Sequence, residues 1–167
     1  MSIIDPIELE SRFKPGLDEI ILFDKKTLED QGHKDTGALE NSLKYVLKIT
    51  PTDISIDFYS LNYGQALDTG VPAKNVRYGY HHVVGWARRK HPGITDKELN
   101  KFIYSMMNVH KQEGIPTDAS KRFSKTGERT GWIRLGTEFI DQNFDRFFPI
   151  DDIVDKLFEV ALEDFLA

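Results

Sequence analysis

Two neighbouring segments alternate apolar and polar residues, and nothing else in the sequence constrains the fold as tightly. In 43–49 (LKYVLKI), Leu43, Tyr45, Leu47 and Ile49 fall on one face and Lys44, Val46 and Lys48 on the other. In 54–59 (ISIDFY), Ile54, Ile56 and Phe58 share a face. Period-two alternation places successive side chains on opposite sides of a strand, so each segment has one face to bury. Thr50-Pro51-Thr52-Asp53 has the composition of a turn. The pair predicts an antiparallel hairpin with Leu43, Tyr45, Leu47, Ile54, Ile56 and Phe58 facing a core. Two strands cannot bury that face alone, so helices must cover it.

Helical spacing supplies them. Leu17, Ile20, Ile21 and Leu28 recur near helical period across 17–31, after the Pro15-Gly16 break and before Gly32. The segment 1–14 reads equally as strand, short helix or docking arm. His81–Lys90 reads as a short helix stopped by His91-Pro92-Gly93. Leu99, Phe102, Ile103, Met106, Met107 and His110 fall at offsets 0, 3, 4, 7, 8 and 11. Thr95 and Glu98 form a capping box in front of this run, and Gly114 ends it. Near the C-terminus, Ile150, Ile153, Val154, Leu157, Phe158, Ala161, Leu162 and Phe165 form one stripe with Asp151, Asp152, Asp155, Glu159 and Glu163 outside it. Leu157, Phe158 and Leu162 are expected to point inward. Phe123 and Trp132–Leu135 are expected to add a further strand or hairpin. The predicted architecture is a single α+β domain over residues 1–167, an antiparallel sheet packed against long helices. The N- and C-terminal helices are its expected covers.

Charge is segregated along the chain. Residues 1–71 carry 7 Lys/Arg and 13 Asp/Glu, residues 72–135 carry 13 and 5, and residues 136–167 carry 2 and 9. A basic centre between acidic ends suits a polyanion, the acidic parts of other copies, or intermingling on one surface. The basic stretch at 117–131 is too polar for a core and is expected to project as a mobile loop. Lys121, Arg122, Lys125 and Arg129 interleave there with Phe123 and precede Trp132. These six residues are the candidate subunit or partner interface, with DNA as the other target of such a loop.

Other chemistry finds less support. With no cysteine in 167 residues, disulfides, thiol catalysis and cysteine-ligated zinc are excluded. His33, His81, His82, His91 and His110 show no metal-ligand spacing. No G-x-S-x-G elbow and no phosphate-binding G-K-[ST] occurs. Neither a metal nor a cofactor is expected, nor catalysis. No apolar run reaches the ~18–20 residues that cross a bilayer, and MSIIDPIELE lacks the cationic and apolar regions of a secretory signal. No membrane association is expected.

The order of short motifs resembles a family. Asp35-Thr36-Gly37-Ala38-Leu39-Glu40-Asn41-Ser42-Leu43 opens directly into a strand, like the "TG-x-L-x-x-S" entry of neck and tail-completion proteins of tailed bacteriophages. Tyr63–Gly70 (YGQALDTG) stands where that family has "Tyr-Ala…Glu-x-Gly-Thr", with Asp68-Thr69-Gly70 as the departure. Val84–Lys90 (VGWARRK) resembles the family's Trp-containing basic helix, and His110–Pro116 (HKQEGIP) a helix ending in "Glu-Gly-Ile". The resemblance covers about residues 35–116. It implies a structural virion protein, a head–tail connector or tail-completion subunit in a homo-oligomeric ring at the neck. Implied neighbours are head-side adaptor or portal proteins and tail terminator or tail tube proteins, with non-specific contact to passing DNA. The implied location is the virion, and the host cytoplasm during assembly. The alternatives are a Mg2+-dependent nucleic-acid-processing enzyme using Asp35, Asp57 or Asp68, and a small adaptor with no virion role.

Overall fold

The computed structural model describes residues 6–50 and 53–166. The chain is α+β, with eight α-helices and two strands among the described residues. In order these are α1 (Pro6–Asp30), α2 (Ala38–Ser42), β1 (Lys44–Ile49), β2 (Ile54–Tyr59), α3 (Tyr63–Thr69), α4 (Tyr80–Lys90), α5 (Asp96–Glu113), α6 (Trp132–Gln142), α7 (Phe144–Phe147) and α8 (Ile150–Leu166). Two 3-10 turns, Ala73–Asn75 and Asp118–Phe123, complete the set. They group into two compact units. The first comprises 1–27, 39–61 and 133–167, and the second 28–38 and 62–132.

The first unit is built on the hairpin. β1 and β2 pair antiparallel with Tyr45 opposite Phe58, Leu47 opposite Ile56 and Ile49 opposite Ile54. Directly opposed residues share a face, so Tyr45, Leu47, Ile54, Ile56 and Phe58 lie on one side of the hairpin as predicted. Tyr45, Leu47, Ile49 and Ile56 pack against a core of Leu9, Phe13, Leu17 and Ile20 from α1, Phe147 from α7, Phe148, and Ile153 from α8. Ile54 and Phe58 are exposed instead of buried. The helices cover β1 along its length but only Ile56 of β2.

Three expectations are corrected here. First, α1 begins at least nine residues before the expected start and runs through Pro15. Proline removes one helical hydrogen bond, at about 3 kcal/mol. Burial of Leu9, Phe13, Leu17 and Ile20, spaced four, four and three apart, offsets that loss. Gly16 lies in the same stretch because a Cβ there would come within 2.9 Å of Phe147. Second, no strand forms near Trp132. Residues 132–135 open α6, and Phe123 ends a 3-10 turn, so among the described residues the sheet stays two-stranded. Third, the stripe of α8 does not turn inward as a whole. Ile153 is buried, but Ile150, Val154 and Phe158 are exposed, Phe158 to 71%. The side chains of Leu157, Ala161, Leu162, Glu163 and Phe165 lie outside the described residues. Asp151, Asp152, Asp155 and Glu159 are exposed, as expected.

The second unit centres on α4 and α5. Ala87, Leu99 and Ile103 are buried, with Val83, Val84, Trp86, Phe102 and Met107 packed against them. The capping box forms as the sequence predicts: the Thr95 hydroxyl accepts from the Glu98 N–H, and the Glu98 carboxylate accepts from the Thr95 N–H. Gly114, at φ 92°, ends α5 in a conformation that other residues rarely adopt.

Candidate interaction surfaces

The six candidate interface residues do not form one exposed patch. Asp118–Phe123 is a 3-10 turn, and the chain after it is stitched to residues 28–33 and 64–68. The last carbonyls of a helix have no partner within it. Here the Asp30 carbonyl at the end of α1 accepts from the Lys125 N–H (2.7 Å) and the Ser124 hydroxyl (3.2 Å). The Lys125 ammonium reaches the Asp30 carboxylate at 2.7 Å, which raises its pKa. The Arg129 guanidinium donates to the Gly32 carbonyl (3.1 Å).

Four consecutive residues then dock in turn. The His33 Nε2–H donates to the Arg129 carbonyl (2.9 Å), and the Gln31 amide to that of Thr130 (2.8 Å). The Gly131 N–H donates to Asp68 (2.8 Å), and the Trp132 indole to Gly64 (2.9 Å). Burial lowers the His33 pKa, and the hydrogen bond to the Arg129 carbonyl works against that shift. Trp132 is only 4% exposed. Lys125, Arg129 and Trp132 therefore hold the segment in place.

Lys121, Arg122 and Phe123 face solvent. Lys121 pairs with Asp118 at 3.0 Å, one turn back. Phe123 is 61% exposed, and the Arg122 guanidinium lies over its ring, 4.8 Å from the centroid. No ion pair engages Arg122 among the described residues. Phe123 keeps its position because its carbonyl sits against Gly32, where any Cβ would overlap it. The result is an outward aromatic ring with a cation stacked on it, on a fixed turn.

The first unit has an exposed apolar face of its own. Ile150, Val154 and Phe158 recur every four residues on α8, so they share one face. Asp151 and Asp155, seven and three residues before Phe158, border the same face. Among the described residues neither has a basic partner, whereas Lys156 of the same helix pairs with Glu8. The difference in charge extends to the whole units. The first holds 9 Lys/Arg and 18 Asp/Glu, net −9; the second holds 13 and 9, net +4.

One buried group has no counterpart in the sequence reading. Asp24 of α1 lies against Gly136 of α6, where a Cβ would collide with the carboxylate. Beside it, Phe23 and Phe139 stack with centroids 4.0 Å apart. The Asp24 Oδ1 is buried without a hydrogen-bond partner, and burial pushes its pKa up to about 7. The signal available was Gly136 within the spacing Trp132, Leu135, Gly136, Phe139, Ile140, which is helical.

Two of the three carboxylates of the enzyme alternative are held in ion pairs. Asp35 forms an ion pair with Arg89, and Asp57 with Lys48 at 2.7 Å. Each cation lowers the pKa of its partner, first by its hydrogen bond. Asp68 lies in α3, and its backbone carbonyl receives the Gly131 N–H. No group of three or more metal-ligating side chains occurs among the described residues. His110 is half-buried and hydrogen-bonded to the Tyr78 hydroxyl, and burial lowers its pKa. No helix among the described residues is long and apolar enough to cross a membrane. Searches against protein-family models, curated proteins and solved structures found no match.

Proposed function

We propose that the protein is a structural subunit of a tailed-phage neck, a head–tail connector or tail-completion protein acting in a homo-oligomeric ring. The observation that carries this reading is the opposition of charge between its two units, net −9 and net +4, each presenting an exposed aromatic ring. A ring needs two unlike patches on every subunit, each complementary to the other, so that contacts run head to tail.

The motif that suggested the family also has a physical rationale in this fold. Gly37 takes φ 74°, which permits the turn ahead of α2. Leu39 is buried. The Ser42 hydroxyl donates to the Leu39 carbonyl (2.7 Å) and accepts from the Leu61 N–H (3.1 Å), tying the entry of β1 to the exit of β2. The Gly, Leu and Ser of "TG-x-L-x-x-S" thus turn the chain, anchor it and clasp the hairpin. Within this proposal the neighbours are the ring's own copies, a head-side adaptor or portal, and a tail terminator or tube. DNA passing through the ring would meet it without sequence recognition.

The test is genetic. Disrupting the gene in its virus should leave DNA-filled heads and complete tails unjoined, with joining restored by the added protein. Normal, infective particles lacking the chain would overturn the proposal.

A further inference from the structure

We infer that the Arg122–Phe123 tip of one copy seats on the Val154–Phe158 face of α8 in a second copy. The inference rests on the ring reading and names its contact. Phe158 and Phe123 are the two most exposed aromatic side chains among the described residues, at 71% and 61%. One lies in the acidic unit and the other in the basic unit.

Their surroundings are complementary. Phe123 carries a guanidinium stacked on its ring and free of any carboxylate among the described residues. Phe158 carries Asp151 and Asp155 on the same face, free of any cation among the described residues. Stacked arginine keeps its planar donor edge, which matches a carboxylate. Bringing the two surfaces together buries two aromatic rings and Val154. It gives Arg122 the acceptor it lacks and Asp155 the donor it lacks. Exposed pairs alone contribute only about 0.2–1 kcal/mol each, so the aromatic rings are the anchors and the charges select the partner. Both surfaces sit on fixed backbone: the tip is pinned by Gly32 and Lys125, and the α8 face is anchored through Ile153. A second copy is the occupant because both halves of the contact are present in every chain. A tip meeting an unlike face is heterologous, and such contacts propagate until a ring closes.

The chain has no cysteine, so the contact can be read by disulfide trapping on a clean background. Two full-length variants that keep both rings, Lys121→Cys beside the tip and Val154→Cys on the α8 face, are mixed at low salt and oxidised, with Lys97→Cys as an exposed control. The Lys121→Cys/Val154→Cys heterodimer should exceed either homodimer and the control pairs several-fold. Adding Arg122→Glu to the first variant should lower its yield several-fold, and Asp151→Arg with Asp155→Arg in the second should restore it. Homodimers alone, or heterodimer at the control level, would overturn the contact, as would a yield indifferent to Arg122→Glu. Rings seen by electron microscopy without this cross-link would overturn the contact and leave the ring standing. The cross-link in dimers or open chains without rings would support the contact and remove the ring.

Discussion

At the scale of single residues, Asp24 has the largest consequence for how the protein responds to its medium. Its pKa is raised from 3.8 to about 7 by burial. The unfolded chain gives up that proton near pH 4, the folded one near pH 7, so between them the folded state binds more protons. Stability from this group is therefore full below about pH 4, falls as pH rises to about 7, and is flat beyond. Asp24→Asn keeps the shape and removes the ionisation. It should be more stable than the parent above pH 7 by about 2–4 kcal/mol, with the difference vanishing near pH 4. Urea melts across pH 4–8 measure this; a constant difference between the two proteins would refute it. The sequence shows Asp24 beside Phe23 but not its burial, because that depends on which helix lies over it. Gly136 of α6 sits there, more than a hundred residues away. For Lys125 and Arg129 the same limit applied: their basic character was legible, but their partners at Asp30 and Gly32 were long-range facts.

Elements were most legible where a pattern and its end signals agreed. The hairpin and the Thr95-capped α5 emerged from alternation, turn composition and a capping box. Ile56 faces the core opposite Leu47, whereas Phe58 is exposed on the same face. Ile56→Asp buries an unpaired carboxylate and should lose about 3–5 kcal/mol. Phe58→Asp should lose about 1 kcal/mol or less, as exposed positions do. Equal melting losses for the two would contradict the assigned coverage of the sheet. Legibility failed where one strong local signal outweighed the periodicity. Pro15 looked like a break, yet the apolar spacing of Leu9, Phe13, Leu17 and Ile20 continues through it. Trp132 and Ile133 looked like strand formers after a glycine-rich stretch, yet Leu135, Phe139 and Ile140 continue a helical repeat. In α8 the amphipathic stripe is real, but periodicity cannot say which edge meets the core. Ile153 does and Phe158 does not, so Ile153→Asp should destabilise by about 3 kcal/mol or more. Phe158→Ser should leave the melting temperature of the isolated protein nearly unchanged.

For the molecule as a whole, the relevant property is its division into two oppositely charged units with an exposed ring on each. The sequence shows charge in three blocks, acidic, basic and acidic. Folding merges the two acidic blocks, because α1, the hairpin and α6–α8 share one core. That merging leaves one unit at net −9 and the other at net +4. Association through them should weaken as salt rises, since exposed charges are screened within about 8 Å at physiological ionic strength. The most direct measurement is the mass of the purified full-length protein, by native mass spectrometry with electron microscopy of the same sample at low salt. Closed rings of a single copy number, dissociating as salt is raised, are the predicted result. A chain that stays monomeric at every concentration and salt, with no ring in any field, would contradict a self-assembling neck subunit.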